Sequence, residues 1–189
     1  MNRVWEGDGM ISPQALNEAD RRAVAAWAAD CAERVVHMFE SEAPADRRPR
    51  DAIERARGFA RGERGAADEI RQRFVAVRAA QAATSPAAVS AAEAAAQAAA
   101  VAHMGAHALG AAAYAAKAAG LAAHDDPAAV GDEVCWQLEH MTVRVRSALR
   151  LLPLLGENSS GPLGPGLFTS GILASIIRDI QTDVNGPGG

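Results

Sequence analysis

A chain of 189 residues with a formal net charge of −4 at pH 7 is long enough for one domain with a sizeable core. The acidic balance argues against nonspecific binding to nucleic acid, and no apolar run is long enough to span a bilayer. The N-terminal residues lack the basic-then-apolar layout of a signal peptide, so we expect a cytoplasmic protein that contacts neither nucleic acid nor membrane.

The first third of the chain shows helical periodicity after clear start signals. Asn17 is suited to cap a helix, and apolar residues then recur every three or four positions, which predicts a long amphipathic helix over about 18–42. Pro49 suits a first helical turn, so a second helix is predicted to begin near this position. A third helix is predicted over about 66–83.

Alanine dominates the middle of the chain. Residues 79–129 hold 28 alanines in 51 positions. Alanine is the best helix former, and its bare surface lets helices approach closely. Ser85 and Pro86 are a typical cap and first turn, so a helix is predicted to start there. The segment 103–107 marks either a tight turn between two helices or a kink in one, and the sequence does not decide between these alternatives.

The last third contains further apolar stripes. One starts after Asp126 and Pro127 and forms either one long helix or two helices with a break near Thr142. Residues 153–166 are rich in glycine and proline and indicate a linker. Residues 167–183 predict an amphipathic helix with so many large apolar residues that it must dock on the bundle or on a second copy of the chain, which would form a homodimer.

Together these elements predict an all-α fold of six to eight helices, with more than about 60% helix and no sheet. The architecture is expected to be an antiparallel multi-helix bundle or a short superhelix of helix hairpins. We divide the chain into a helical domain over 1–152, the linker over 153–166 and the C-terminal helix over 167–183.

The sequence contains no recognisable catalytic motif. It lacks a glycine-rich phosphate loop, a zinc-protease helix and a nucleophile elbow, so we expect neither an enzyme nor a bound cofactor or metal. Cys31 and Cys135 fall within the apolar faces of predicted helices, and we expect both to be buried as small apolar side chains.

A basic segment is the first candidate for function. Residues 46–78 carry a net charge of +4, between flanking stretches of −4 each. Arginines at a helix start oppose the helix dipole, so helix stability alone explains them poorly. We hypothesise that Arg48 and Arg50, next to Asp46, position a buried or partner carboxylate. The alternatives are a solvated, salt-bridged face and arginines that lock neighbouring helices together.

A polar stripe in the alanine-rich region is the second candidate. His103, His107, Tyr114 and Lys117 fall within a narrow angular range if the helix is continuous. Three interpretations of the stripe stay open: the solvated side of an otherwise apolar helix, a polar pocket between helices, or a metal site. The metal site lacks a third ligand at suitable spacing.

Three stretches of the sequence resemble bacterial immunity proteins of the immunity-family-five-like group. They are WAADCAERVV at 27–36, the element Asp46-Arg-Arg-Pro-Arg-Asp and the stretch 102–118. That group is associated with polymorphic toxin systems. The resemblance covers about residues 20–150. It implies a small, cytoplasmic, all-α protein that neutralises a toxin by binding it.

Two other functions stay open at this point. The first is a helical protein that binds a small molecule or a metal through His103, His107, Tyr114 and Lys117. The second is a module with a purely structural role in protein interactions.

Overall fold

The computed structural model describes residues 12–67 and 78–186. Within these residues 70% of the chain is helical and no strand is present, which confirms the predicted all-α class. Seven α-helices lie in the described segments: α1 Glu18–Glu42, α2 Arg48–Ala60, α3 Pro86–Ala100, α4 His107–Ala122, α5 Pro127–Glu139, α6 Val143–Arg150 and α7 Gly171–Asn185, with short 3-10 helices at Arg78–Ala82 and Leu167–Thr169. Most of the helix predicted over 66–83 falls outside the described residues.

Most helices begin where the local sequence predicts, but the C-terminal helix predicted over 167–183 begins only at Gly171, after the 3-10 helix Leu167–Thr169, and continues to Asn185. Asn17 Oδ1 accepts a hydrogen bond from the Asp20 N–H at 2.9 Å and caps α1. Ser85 Oγ accepts from the third residue of α3 at 3.1 Å. Thr142 Oγ1 accepts from the Val145 N–H at 3.2 Å, so the stripe after Asp126 is two helices rather than one.

The alanine-rich region forms two helices that pack on each other. A turn over residues 101–106 joins α3 to α4, and these two helices share an extensive interface. Nearly all alanines of α4 are fully buried, because α1, α3, α5 and α7 all contact this helix. The close approach that alanine permits therefore builds the centre of the molecule.

The long helix α1 forms the other half of the centre. It contacts α2, α3, α4 and α6. Its large apolar side chains are almost completely removed from solvent, and they include Val24, Trp27, Val35, Val36 and Phe39. Together α1, α3 and α4 form the core on which the shorter helices pack.

The segment between α6 and α7 contains no α-helix but is held against the bundle. Leu163 is fully buried, and its N–H donates to Gln14 Oε1 at 2.9 Å. The Gln14 Nε2 donates to the Ser160 carbonyl at 2.5 Å. Gln14 is itself fully buried, so the residues that precede α1 anchor this segment.

The C-terminal helix α7 packs on α4, α5 and α6 of its own chain. Its buried apolar residues are Leu173, Ala174, Ile176, Ile177, Ile180 and Val184. Ile172 differs from them, with 44% of its surface exposed.

One prediction about the core is wrong. Cys31 is buried, as expected, but Cys135 is exposed. The residues of α5 that are most buried are Glu133 and Gln137, so the helix is rotated relative to the orientation that its apolar stripe predicts. Each residue turns the side chain by about 100° around the helix, and this rotation leaves Cys135 on the outer side.

Candidate functional site

The predicted arginine element lies at the turn between α1 and α2. Arg48 folds back on Asp46, with its Nε 2.8 Å from Asp46 Oδ1 and its backbone N–H donating to the same oxygen at 3.1 Å. The hydrogen bond from Arg48 holds the pKa of the Asp46 carboxyl below its usual value. This pair shapes the turn that leads into α2.

Arg50 joins α2 to α1 through two carboxylates. Its Nε and Nη2 each donate to one oxygen of Glu40 at 2.8 Å, and its Nη1 donates to Glu33. The hydrogen bond from Arg50 lowers the pKa of Glu40. A planar guanidinium satisfies two oxygens of one carboxylate at once, which a lysine cannot do.

Arg57, two turns further along α2, extends the same contact. It donates to Glu33 at 3.0 Å and to Asp30 at 2.9 Å. The positive side of α2 therefore lies along a negative side of α1. The carboxylates that Arg50 contacts belong to the same chain, and the arginines link the two helices.

The structure divides the predicted polar stripe. His103 is exposed in the turn before α4, whereas His107 begins the helix. His107 Nδ1 lies 2.7 Å from Gln97 Oε1 of α3. Burial of the imidazole lowers the pKa of His107 to about 4, and the nearby His103 adds a smaller effect in the same direction. This imidazole is therefore neutral at pH 7.

Tyr114 and Lys117 lie further along α4 in different surroundings. Tyr114 is buried and packs edge-on against Phe168, with ring centroids 6.0 Å apart. Burial raises the pKa of Tyr114 to about 12. Lys117 Nζ lies 5.9 Å from the centroid of the Tyr114 ring.

The residues of the predicted stripe that line a groove are divided between two separate grooves. The two histidines line a groove of about 370 Å³ together with the glycine- and proline-rich segment around Gly164. Lys117 lines another groove, of about 330 Å³, between α4, α5 and α7. The four residues of the predicted stripe do not share one pocket. In the parts of the chain that the structure describes, no group of three His, Cys, Asp or Glu residues is placed to hold a metal ion.

A buried polar network joins α1, α4 and α5, and sequence reasoning missed it. Arg34 Nε donates to both oxygens of Glu133, at 3.0 and 2.8 Å, although only 5% of the Glu133 side chain is exposed. Gln137 Nε2 donates to the Ala112 carbonyl at 3.1 Å. The Trp27 indole N–H donates to the backbone carbonyl of Gln137 at 2.9 Å.

The outer side of this network carries an aromatic stack. The guanidinium of Arg34 lies 4.0 Å from the centroid of the Trp136 ring, and His140 stacks against Trp136 with the centroids 4.0 Å apart. Arg34 and Glu133 are 99 residues apart in sequence, so no local spacing could have paired them. The available signal was a glutamate and a glutamine four residues apart, which share one side of a helix.

Residues 14–144 match the family described as Imm-5 like putative immunity protein. The chain belongs to this family. The match includes the arginine element, the divided stripe and the buried network, and it ends at the start of α6. No curated protein and no solved structure matches the chain.

The Imm-5 like family assignment agrees with the resemblance found in the sequence. Most of α6 and all of α7 lie beyond the matched residues. Within 12–67 and 78–186, no helix is both long enough and apolar enough to cross a membrane.

Proposed function

We propose that this protein neutralises a bacterial toxin in the cytoplasm by binding it directly, without chemical conversion of the toxin. The observation that carries the proposal is the family match over residues 14–144. The family description supports an immunity role, and binding to the toxin is the simplest way for a small helical domain to provide one.

The geometry supports a binding function more than a reaction in a pocket. The charged residues of α1 and α2 contact one another across the helix interface. The polar residues of α4 are distributed between two grooves. These grooves are open to solvent and lie at the junctions of helices, where a protein partner can insert side chains.

Co-expression tests the proposal. A candidate toxin gene, sought beside the gene for this protein, is induced in a bacterial host with and without the protein, and growth is measured. We expect the protein to restore growth. An Ile177→Asp variant, which places a charge at a fully buried position, is the control for a requirement for the folded protein. Unchanged toxicity in the presence of the wild-type protein would contradict the proposal.

A second measurement separates binding from catalysis. Purified toxin and protein are mixed, the complex is detected by calorimetry, and the mass of the toxin is determined before and after the incubation. We expect a complex with an affinity in the range of specific protein pairs and an unchanged toxin mass. A changed toxin mass would show that the protein modifies its partner and would refute the binding mechanism.

A further inference from the structure

The groove between α4, α5 and α7 has the form of a notch for a single large side chain. Its volume is about 330 Å³, and its apolar walls include Leu121 of α4, Val130 of α5 and Ile172 of α7. A Cβ at Gly120 would lie 2.4 Å from Val130 Cγ2, so the glycine permits the close approach of α4 and α5 that forms one side of the notch. We refer to this groove as the notch.

An exposed apolar residue lies at the notch. Ile172 keeps 44% of its surface exposed, although the isoleucines further along α7 are almost completely buried. Because Ile172 lies outside the residues of the family match, α7 adds an apolar wall that the matched segment does not supply.

The charges at the notch are unbalanced. Asp125 and Asp179 line it and are both exposed. Neither aspartate forms an ion pair with any residue that the structure describes, whereas Asp30, Glu33 and Glu40 of α1 all contact arginines. The two carboxylates are therefore available to a cationic partner.

Lys117 is the one basic residue among the described residues that line the notch, and it contacts an aromatic ring rather than a carboxylate. Its ammonium lies over the Tyr114 ring. Burial raises the pKa of Glu93 on α3, and the charge of Lys117 partly offsets that rise. Among the residues that the structure describes, Lys117 forms no ion pair with either aspartate, so the lining of the notch holds two unpaired carboxylates against one cation.

We propose that the notch is the anchor pocket for the toxin, and that it takes a large apolar side chain flanked by lysine or arginine. This inference rests on the proposed function. The apolar walls and the two unpaired carboxylates, which outnumber the single cation of the lining, specify the chemistry of the occupant. A pocket of this size buries one side chain, so it is the centre of a larger contact and not the whole interface.

The apolar part of the proposal is tested with Ile172→Arg and with Ser175→Trp, which fills the notch from an exposed position. Leu151→Arg is the matched control, because Leu151, which directly follows α6, is 62% exposed and does not line the notch. Affinity for the toxin of the co-expression experiment is measured by calorimetry. We expect both notch variants to bind about tenfold or more weakly and the control to bind as the wild type does.

The charged part is tested with Asp125→Lys and Asp179→Lys, against Glu54→Lys as the control. Glu54 is 60% exposed on α2, its ion pair with Arg47 is long at 3.6 Å, and it does not line the notch. We expect each aspartate variant to slow association several-fold, with a larger effect at low salt, because charges at the rim of an interface steer the encounter. Circular dichroism and urea unfolding confirm that each variant is folded.

The outcomes distinguish this inference from the proposed function. If the wild type does not bind the toxin, both are overturned. If the wild type binds and the folded notch variants bind equally well, the inference is wrong and the proposed function stands. Val143 is exposed beside Arg144, so a second copy of the chain offers similar chemistry. A dimer in sedimentation that Ile172→Arg dissociates would also overturn the inference.

Discussion

Two isoleucines of α7 allow the docking of this helix to be measured. Ile177 is fully buried, whereas Ile172 is 44% exposed. Truncation of isoleucine to alanine removes about three carbon atoms, worth roughly 0.8 kcal/mol each when fully buried, and a residual cavity adds to the loss. We therefore expect Ile177→Ala to lower the free energy of unfolding by about 2–5 kcal/mol. For Ile172→Ala we expect roughly 1 kcal/mol, because the site is open to solvent and leaves no cavity.

Urea unfolding followed by circular dichroism measures both variants against the wild type. For a chain of this length, about 1 kcal/mol corresponds to a change in Tm of roughly 2–4 °C, so thermal unfolding provides an independent check. The m-value is expected to stay constant, since the two-state transition still exposes the same surface. Equal, small losses for the two variants would show that α7 does not pack on the bundle through Ile177, and the reasoning would be refuted.

Three further predictions follow from the polar residues. Arg50→Lys is expected to lower the free energy of unfolding by about 1–2 kcal/mol, because lysine cannot hold two carboxylates of α1. Arg48 contacts one carboxylate two residues away, so Arg48→Lys is expected to change the free energy of unfolding by about 0.5 kcal/mol or less. Urea unfolding compares the two variants, and equal losses would contradict the assigned contacts. His107 has a pKa of about 4 when folded against an ordinary 6.5, so its contribution to stability is complete above pH 6.5 and is lost as the pH falls towards 4. Because the chain has five histidines, NMR signals are assigned with a His107→Gln variant, and a His107 signal that titrates near pH 6.5 in the folded protein would contradict this. Tyr114 is the chain's single tyrosine, and its ultraviolet ionisation step is expected near pH 12; a step at pH 10 in the folded protein would show that the ring is exposed.

The boundaries of the helices could be predicted because they depend on short-range chemistry. The predicted start at Ser85 and Pro86 is confirmed, and the predicted span of about 18–42 agrees with α1 at Glu18–Glu42. A side chain that caps a helix acts within three residues, so the sequence contains all the information that is needed. The ends of the third predicted helix cannot be compared in the same way, because they include residues that the structure does not describe.

The pairing of side chains between helices could not be predicted. The dipole argument predicted that the arginine element needs carboxylates, but the sequence does not show that Glu33 and Glu40 of α1 provide them to Arg50. The rotation of α5, which buries Glu133 towards Arg34, depends on contacts between residues far apart in the chain. Helical periodicity describes one helix at a time and contains no information about its neighbour.

The polar stripe shows the same limit in a different form. Periodicity places His103, His107, Tyr114 and Lys117 at similar angles, but a stripe becomes a pocket only if one neighbouring surface covers all of it. Here Phe168 packs against the middle of the stripe at Tyr114. The segment that carries Phe168 leaves a groove on each side, and the sequence of α4 alone does not show where that segment lies.

The alanine-rich core also restricts where specificity for a partner can reside. The residues of α3 and α4 are mostly alanine, and most of these are fully buried against other helices. Alanine side chains are small and carry no hydrogen-bonding groups. The centre of the fold can therefore support a binding surface but cannot distinguish one partner from another. Large or charged side chains that could do so lie on α1, α2, α5, α6 and α7. Of these helices, α7 lies beyond the residues of the family match, and it supplies Ile172 and Asp179 to the notch. If the notch binds the toxin as proposed, substitutions on the exposed side of α7 change the choice of partner while the alanine-rich core stays the same.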